Sequence, residues 1–207
     1  MKVELFEEMY KSHGGLAGPA PWDISRPQDA IADLADAGEV QGSVLEVGCG
    51  TGEIALLFAS YGHDTWGVDF SPTAIERAKA RAIEQGLSVR FLVGDALELE
   101  KLGRSFDTLI DCGLFHSFSD DDQRQRYADG AAAVCNPGGV LYLMCISDLE
   151  PPGDAPRRVS QDEIRAFFHG KWQIERIVPT HFDVVPEAAA LFSPGGPKAW
   201  LATIRRT

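Results

Sequence analysis

From residue 44 onward the chain alternates short apolar runs with stretches of helical periodicity. Residues 44–47, 64–68, 89–93 and 106–111 are apolar runs of strand length. Between them, 53–60 and 71–85 carry apolar residues at three- and four-residue spacing, which predicts helices. Ser71 and Pro72 open the second helix and Gly86 stops it. Residues 119–134 predict a further helix, with Ser119 and Asp122 as a capping box. NPGG at 136–139 predicts a turn before a fully apolar strand, 140–146. Then come a helix over 161–168 and late strands over 172–178 and 199–204. Ahead of all these, 3–11 and 28–37 read as helices joined through a Gly- and Pro-rich loop, 14–27.

Strands alternating with helices predict an α/β domain, a mostly parallel sheet with helices on both faces. The segment PTHFDVVPEAAALFSPGGPK between the last two strands lacks helical periodicity, which predicts an antiparallel pair at one edge. Residues 1–207 read as one domain, with 1–40 supplying helices and a lid and 41–207 the core. A net charge of −12 argues against a nucleic-acid partner, which needs a basic footprint. No apolar run approaches the roughly 20 residues that span a bilayer, and the charged N-terminus lacks a signal-peptide core. A cytoplasmic protein without membrane insertion is expected. Cys49, Cys112, Cys135 and Cys145 show neither CxxC nor zinc spacing, so reduced thiols and no metal are expected.

The stretch VLEVGCGTGEIALLF (44–58) places three glycines between a strand and a helix. A phosphate-binding P-loop would end in Gly-Lys-Ser/Thr; here no lysine follows. A dinucleotide fingerprint, GxGxxG, would need glycine at 53, which is Glu53. A carboxylate at that helix start also repels a pyrophosphate. S-adenosylmethionine removes the objection: it has no phosphate, and its sulfonium and ammonium groups suit Glu46 and Glu53. Gly48, Cys49, Gly50, Thr51 and Gly52 would then wrap its amino-acid end.

Three further strand ends fit that cofactor. Asp69 closes the second strand, where an acid takes both ribose hydroxyls. Phe70 follows and can stack on adenine, with Ser71 beside it. Gly94, Asp95 and Ala96 close the third strand; Asp95 can accept from the adenine amino group and the Ala96 N–H can donate to the ring. Asp111 and Cys112 close the fourth, beside the sulfonium in this layout.

LEVGCGTG, Asp69, the GDA at 94–96 and NPGG before an apolar strand together resemble the class I S-adenosylmethionine-dependent methyltransferases over roughly residues 42–148. That resemblance implies a Rossmann-like seven-stranded sheet whose last strand is inserted antiparallel. PWDISRPQDAI, DTLIDCGLFHSF and SDLEPPGDAPRRVSQDEI look like small bacterial relatives of thiopurine methyltransferase. That narrower resemblance implies transfer to sulfur, oxygen or nitrogen of a small molecule, often an aromatic heterocycle; the group also includes thiol and halide methyltransferases. It implies that the Pro-Trp-Asp segment folds over the cofactor with Trp22 shielding the methionine moiety. Gly often follows PWDI in that group, where this chain has Ser25.

For a neutral phenol-like acceptor a general base of pKa near 7 would help, and His116, just past the fourth strand, is the candidate. Phe115, Phe118, Trp22, Phe192 and Trp200 could build an apolar acceptor pocket, with Trp200 the most core-like. Arg157 and Arg158 could read an anion, and His181 could join the pocket. A macromolecular acceptor, a cofactor-binding protein without turnover and an NAD oxidoreductase remain as rivals.

Overall fold

Seven strands of the described residues form one sheet: β1 (Val44–Val47), β2 (Thr65–Asp69), β3 (Val89–Val93), β4 (Phe106–Cys112), β5 (Cys135–Ile146), β6 (Trp172–His181) and β7 (Lys198–Arg206). Their spatial order is β3-β2-β1-β4-β5-β7-β6. Strands β1 to β5 pair in parallel, and β7 lies antiparallel between β5 and β6. Among the described residues six α-helices accompany the sheet: α1 (Val3–Lys11), α2 (Asp29–Asp36), α3 (Glu53–Ser60), α4 (Pro72–Gln85), α5 (Asp121–Val134) and α6 (Gln161–Phe167). This computed structural model describes residues 3–11, 20–153 and 157–207. Residues 14–19 of the predicted 14–27 loop and residues 154–156 of the 147–164 segment therefore lie outside the described residues. Among those described, no helix is long and apolar enough to cross a membrane.

Period-two alternation splits the core between the two faces. Leu45, Val47 and Leu109 pack with Tyr127, Ala128 and Ala131 of α5. Val44, Ile110 and Met144 pack with Ile31 and Leu34 of α2 and Phe58 of α3. The central strands β1, β2 and β4 are buried on both faces, as parallel strands between helix layers must be, whereas the edge strands β3 and β6 are partly exposed. The parity matters at the end of β4. Asp111 falls on the α5 side with Leu109, and Cys112 on the other side with Ile110.

Helix α4 starts and stops where its caps dictate. Ser71 Oγ accepts from the Ala74 N–H at 3.0 Å, Pro72 occupies the first turn, and Gly86 turns left-handed at φ 65°. Elsewhere the boundaries moved. Helix α5 is capped by Asp120, whose carboxylate accepts from the Gln123 N–H at 2.8 Å, so Ser119 and Asp122 do not form the cap. The capping box occurs one helix later, at Ser160 and Glu163. NPGG is not a turn ahead of the strand: β5 already begins at Cys135, and its pairing with β4 shifts register between Phe106 and Thr108. There Asn136 Nδ2 donates to Asp107 Oδ1 at 2.8 Å, replacing regular ladder bonds. The β6–β7 linker contains a short 3-10 turn, Pro186–Leu191.

Candidate active site

Two adjoining cavities, of about 170 Å³ and about 610 Å³, open at the carboxyl ends of β1 to β5. Strand order reverses between β1 and β4, which leaves a crevice there. Phe6, Trp22, Gly48, Cys112, Gly113 and Ser117 line both cavities and so form the passage between them. Both volumes suit parts of a small-molecule site.

The smaller cavity is lined by Asp69, Phe70, Gly94, Asp95 and Ala96, with Tyr10 and Leu114. Asp69 is buried, and burial pushes its carboxyl up against the lowering effect of two backbone bonds. Oδ2 accepts from the Gly50 N–H and Oδ1 from the Ser71 N–H, each at 2.9 Å. Each oxygen keeps a second lone pair, which fits a pair of adjacent ribose hydroxyls. Asp95 Oδ1 caps the following turn by accepting from the Leu97 N–H at 2.9 Å. Helix α1 covers this cavity. Glu7 takes hydrogen bonds from the hydroxyls of Ser71 and Thr73, and the Phe6 ring lies 6.2 Å from Phe70, edge to face.

The glycine turn adopts left-handed backbone at Gly48 (φ 71°), Gly50 (φ 51°) and Gly52 (φ 88°). Glu46, Gly48, Cys49, Gly50, Thr51 and Glu53 line the larger cavity. Glu46 lies beneath the turn, where one oxygen accepts from the Ala55 N–H at 2.8 Å and burial pushes its carboxyl well up. Glu53 is paired with Arg81 and accepts from the Thr51 hydroxyl. The turn therefore offers carboxyl oxygens that can accept from an ammonium group, and a poor surface for a pyrophosphate.

Beyond the passage, the larger cavity is bounded by His116, Ile146, Phe182, Leu191, Phe192 and Arg158. Trp22 stands at the passage with its ring 5.6 Å from Phe6. The segment behind it is clipped to the β6–β7 linker. Gln28 Nε2 donates to the Asp183 carbonyl at 3.1 Å, the Asp183 N–H donates back to Gln28 Oε1 at 2.6 Å, and Arg26 pairs with the Asp183 carboxylate. Ser25, in the Gly position of the resembled group, holds a left-handed φ of 56°. Cys112 lines both cavities, but burial pushes its thiol well up, so it is a neutral wall residue.

Six expected site residues lie off the cavity walls. Gly52 is packed behind the turn against Phe91. Ser71 is consumed as the α4 cap. Asp111 is fully buried on the α5 side, because strand parity turns it away from the crevice. Its Oδ1 accepts from the Leu114 and Phe115 N–H groups, at 2.9 and 3.2 Å. Phe115 sits in an aromatic core with Tyr127, Phe167 and Phe168. Arg157 is exposed and paired with Glu163, whereas its neighbour Arg158 reaches the cavity. His181 is exposed at the end of β6, whereas Phe182 lines the cavity. Phe118 and Trp200 are also core. Phe6, Gln28 and Asp183 were not anticipated. The aromatic-acid face of α1 was the available signal for Phe6; the Gln28–Asp183 clip spans 155 residues and left none.

Buried Asp111 has a pH signature. Burial raises its pKa from 3.8 to about 6, and Oδ2 makes no well-aligned bond to a described residue, with the Tyr127 hydroxyl alongside. A raised carboxyl pKa means the folded state binds more protons between pH 4 and 6, so stability falls as pH rises through 6. Asp111→Asn keeps an acceptor for both backbone bonds and removes the buried charge. It is expected to stabilise the fold by up to about 3 kcal/mol at pH 8 and by little at pH 4, read as urea midpoints across that range. A pH-independent difference would show that Asp111 does not titrate there.

Residues 44–139 match the family described as "Methyltransferase domain". The chain is 36% identical over 182 residues to a 2-heptyl-1-hydroxyquinolin-4(1H)-one methyltransferase from Mycobacteroides abscessus, covering 85% of this chain and 79% of that protein. It is 32% identical over 150 residues to probable thiol methyltransferase 2 of Arabidopsis thaliana, covering 71% and 66%. A solved structure from work on the conversion of a disulfide bond into a thioacetal group during echinomycin biosynthesis superposes with a TM-score of 0.87 at 37% identity, over 99% of this chain and 92% of that one. With the glycine turn, the acid at the end of β2 and the inserted antiparallel β7, these similarities give the assignment. The chain belongs to the class I S-adenosylmethionine-dependent methyltransferases.

Proposed function

We propose that this protein transfers the methyl group of S-adenosylmethionine to an oxygen, sulfur or nitrogen of a small aromatic heterocycle or phenol-like compound, in detoxification or secondary metabolism. The observation that carries this is the larger cavity. Its far part is mostly apolar, and it meets the smaller cavity at Trp22, Cys112 and Gly113. The cavity of about 610 Å³ takes the cofactor's amino-acid end along the Glu46 and Gly48–Thr51 wall, and the remainder, bounded by His116, Ile146, Phe182 and Phe192, suits a small acceptor rather than a polymer. The hydroxyquinolone named for the 36%-identical relative is an acceptor of this size and character.

In this reading the cofactor supplies a methyl already activated on sulfur, and the protein supplies orientation and water exclusion. Asp69 holds the ribose, Phe70, Asp95 and Ala96 the adenine, and Glu46 with the Gly48–Thr51 turn the amino-acid end. Trp22 closes the passage, and Phe182 and Phe192 flank the acceptor. Residues 1–40 act as the lid of one domain.

A thiol or halide methyltransferase is the second reading, favoured by the plant relative's name. A screen with methyl-labelled S-adenosylmethionine separates the two. Hydroxyquinolones, phenols, thiopurines, thiols and iodide are each scored for methyl incorporation. Transfer to hydroxylated heterocycles or phenols is the expected result. Transfer to iodide and simple thiols alone would replace the first reading with the second. Cofactor binding with no transfer to any acceptor would remove both.

A further inference from the structure

His116 was expected as a general base, and its hydrogen bonding says otherwise. The Ile146 N–H donates to His116 Nδ1 at 3.1 Å. A backbone amide is only ever a donor, so Nδ1 must present its lone pair. In the neutral ring the single proton then sits on Nε2. The basic nitrogen is already used, and the nitrogen left over is a donor. The ring is held edge to face against Phe182 at 5.9 Å, which resists a flip. Burial, with the Arg158 charge adding to it, lowers the pKa to about 4, so this neutral form persists through the physiological range.

Arg158 is the charged group that acts on the ring itself. Arg158 lines the same cavity and acts on His116 electrostatically, with its guanidinium also donating to the Pro151 carbonyl at 2.7 Å. The other charged groups on this wall are Asp23, Glu46, Glu53, Arg26 and Asp183. Glu53 is matched by Arg81, Asp183 shares Arg26 with Asp29, burial favours the neutral form of Glu46, Asp23 keeps one buried oxygen without a bond to a described residue, and Glu150 lies within reach of the Arg158 charge. The Cys49 and Cys112 thiols are pushed up by burial and stay neutral.

We infer that His116 is a hydrogen-bond donor, through Nε2–H, to an acceptor that enters already ionised at its accepting atom, and that His116 with Arg158 selects that anionic form. The inference rests on the methyl-transfer reading and narrows its substrate class to acidic acceptors: N-hydroxy heterocycles, acidic phenols and thiols. The acceptor leaves its proton in solvent before it binds. One lone pair then forms the bond to the methyl carbon as the carbon–sulfur bond breaks, and the electrons of that bond stay on sulfur. Anion and sulfonium neutralise one another, and no proton remains for the protein to take. A donor on the accepting atom costs some nucleophilicity; in return it fixes one lone pair so that another faces the methyl.

Calorimetry on the wild-type protein loaded with adenosylhomocysteine, where no turnover occurs, tests this between pH 5.5 and 9. The probes are 4-nitrophenol and 4-cyanophenol, which ionise at different pH. Affinity for each phenol is expected to rise about tenfold per pH unit below that phenol's own pKa and to level off above it. The break should move with the phenol. Affinity that falls on ionisation, a break that stays fixed when the phenol changes, or no binding of either phenolate overturns the inference. Failure of the underlying methyltransferase reading shows separately, as no binding of adenosylhomocysteine. Two variants add a second readout. His116→Gln keeps an N–H donor near the Nε2 position and cannot serve as a base, so turnover of an ionised acceptor should stay within about tenfold of wild type. His116→Leu should lose on the order of 100-fold. Equal collapse of both, with adenosylhomocysteine affinity and thermal midpoint retained, would restore the base.

Discussion

Asp69→Ala is expected to lower affinity for S-adenosylmethionine by at least two orders of magnitude. The Asp69 carboxylate stands at the end of β2 in the smaller cavity, held by the Gly50 and Ser71 amides at 2.9 Å each. Its two remaining lone pairs are placed for two ribose hydroxyls. Hydrogen bonds to a charged group are each worth about 1.5–3 kcal/mol. Losing two removes about 3–6 kcal/mol, a factor of roughly 10² to 10⁴. The substitution also strips both amides of their acceptor, and a buried unpaired N–H costs about 1–3 kcal/mol. The glycine turn therefore loosens as well, and the thermal midpoint should fall together with affinity. Asp69→Asn separates the two effects. Its one carbonyl oxygen keeps one backbone bond, so stability should recover partly while affinity stays low. Calorimetry with adenosylhomocysteine reads the affinity. A value within threefold of wild type for Asp69→Ala would remove the ribose role.

Much of this site was legible in the sequence, and its limit is a matter of phase. Helix α4 is bounded by a cap, a proline and a glycine, and each did what its chemistry requires. The glycine turn announced a close backbone approach, and all three glycines are left-handed. The strands of a parallel sheet are buried on both faces, so their residues carry no alternation from which to read direction. Asp111 and Cys112 are adjacent, and nothing local says which one faces the crevice; only the position of α5 decides. The same one-residue ambiguity separates Arg157 from Arg158 and His181 from Phe182. The roof was hidden for a different reason. It is tied by the Gln28–Asp183 clip and by the bonds of Glu7 to α4, which join residues far apart in the chain. The His116 tautomer was hidden too, because the partner that fixes it is a backbone amide of β5.

Gly52→Ala is expected to damage the fold and spare the cofactor, although Gly52 belongs to the motif that suggested the cofactor. Gly52 lines neither cavity and caps α3 at φ 88°. A Cβ there would stand 2.7 Å from Phe91 Cζ and 3.0 Å from Ala78 Cβ, inside the packing of α3 against α4 and β3. Left-handed backbone costs a residue with a Cβ about 1–2 kcal/mol. Forcing a methyl into a packed core adds about 1–3 kcal/mol. The sum, about 2–5 kcal/mol, is a large part of the 5–15 kcal/mol that holds a typical domain folded. For a chain of this length it lowers the thermal midpoint by roughly 5–15 °C. Scanning calorimetry measures that shift, and titration of adenosylhomocysteine well below the midpoint measures binding by the folded protein. Affinity should remain within about tenfold of wild type. Gly48→Ala is the contrast, since Gly48 lines both cavities and its Cβ would approach Leu114 Cβ at 3.2 Å, a milder overlap than the 2.7 Å at Gly52, with the left-handed backbone cost common to both. There the midpoint should fall less than for Gly52→Ala and affinity should fall more. An unshifted midpoint with lost affinity for Gly52→Ala would mean that the third glycine of the turn touches the cofactor after all.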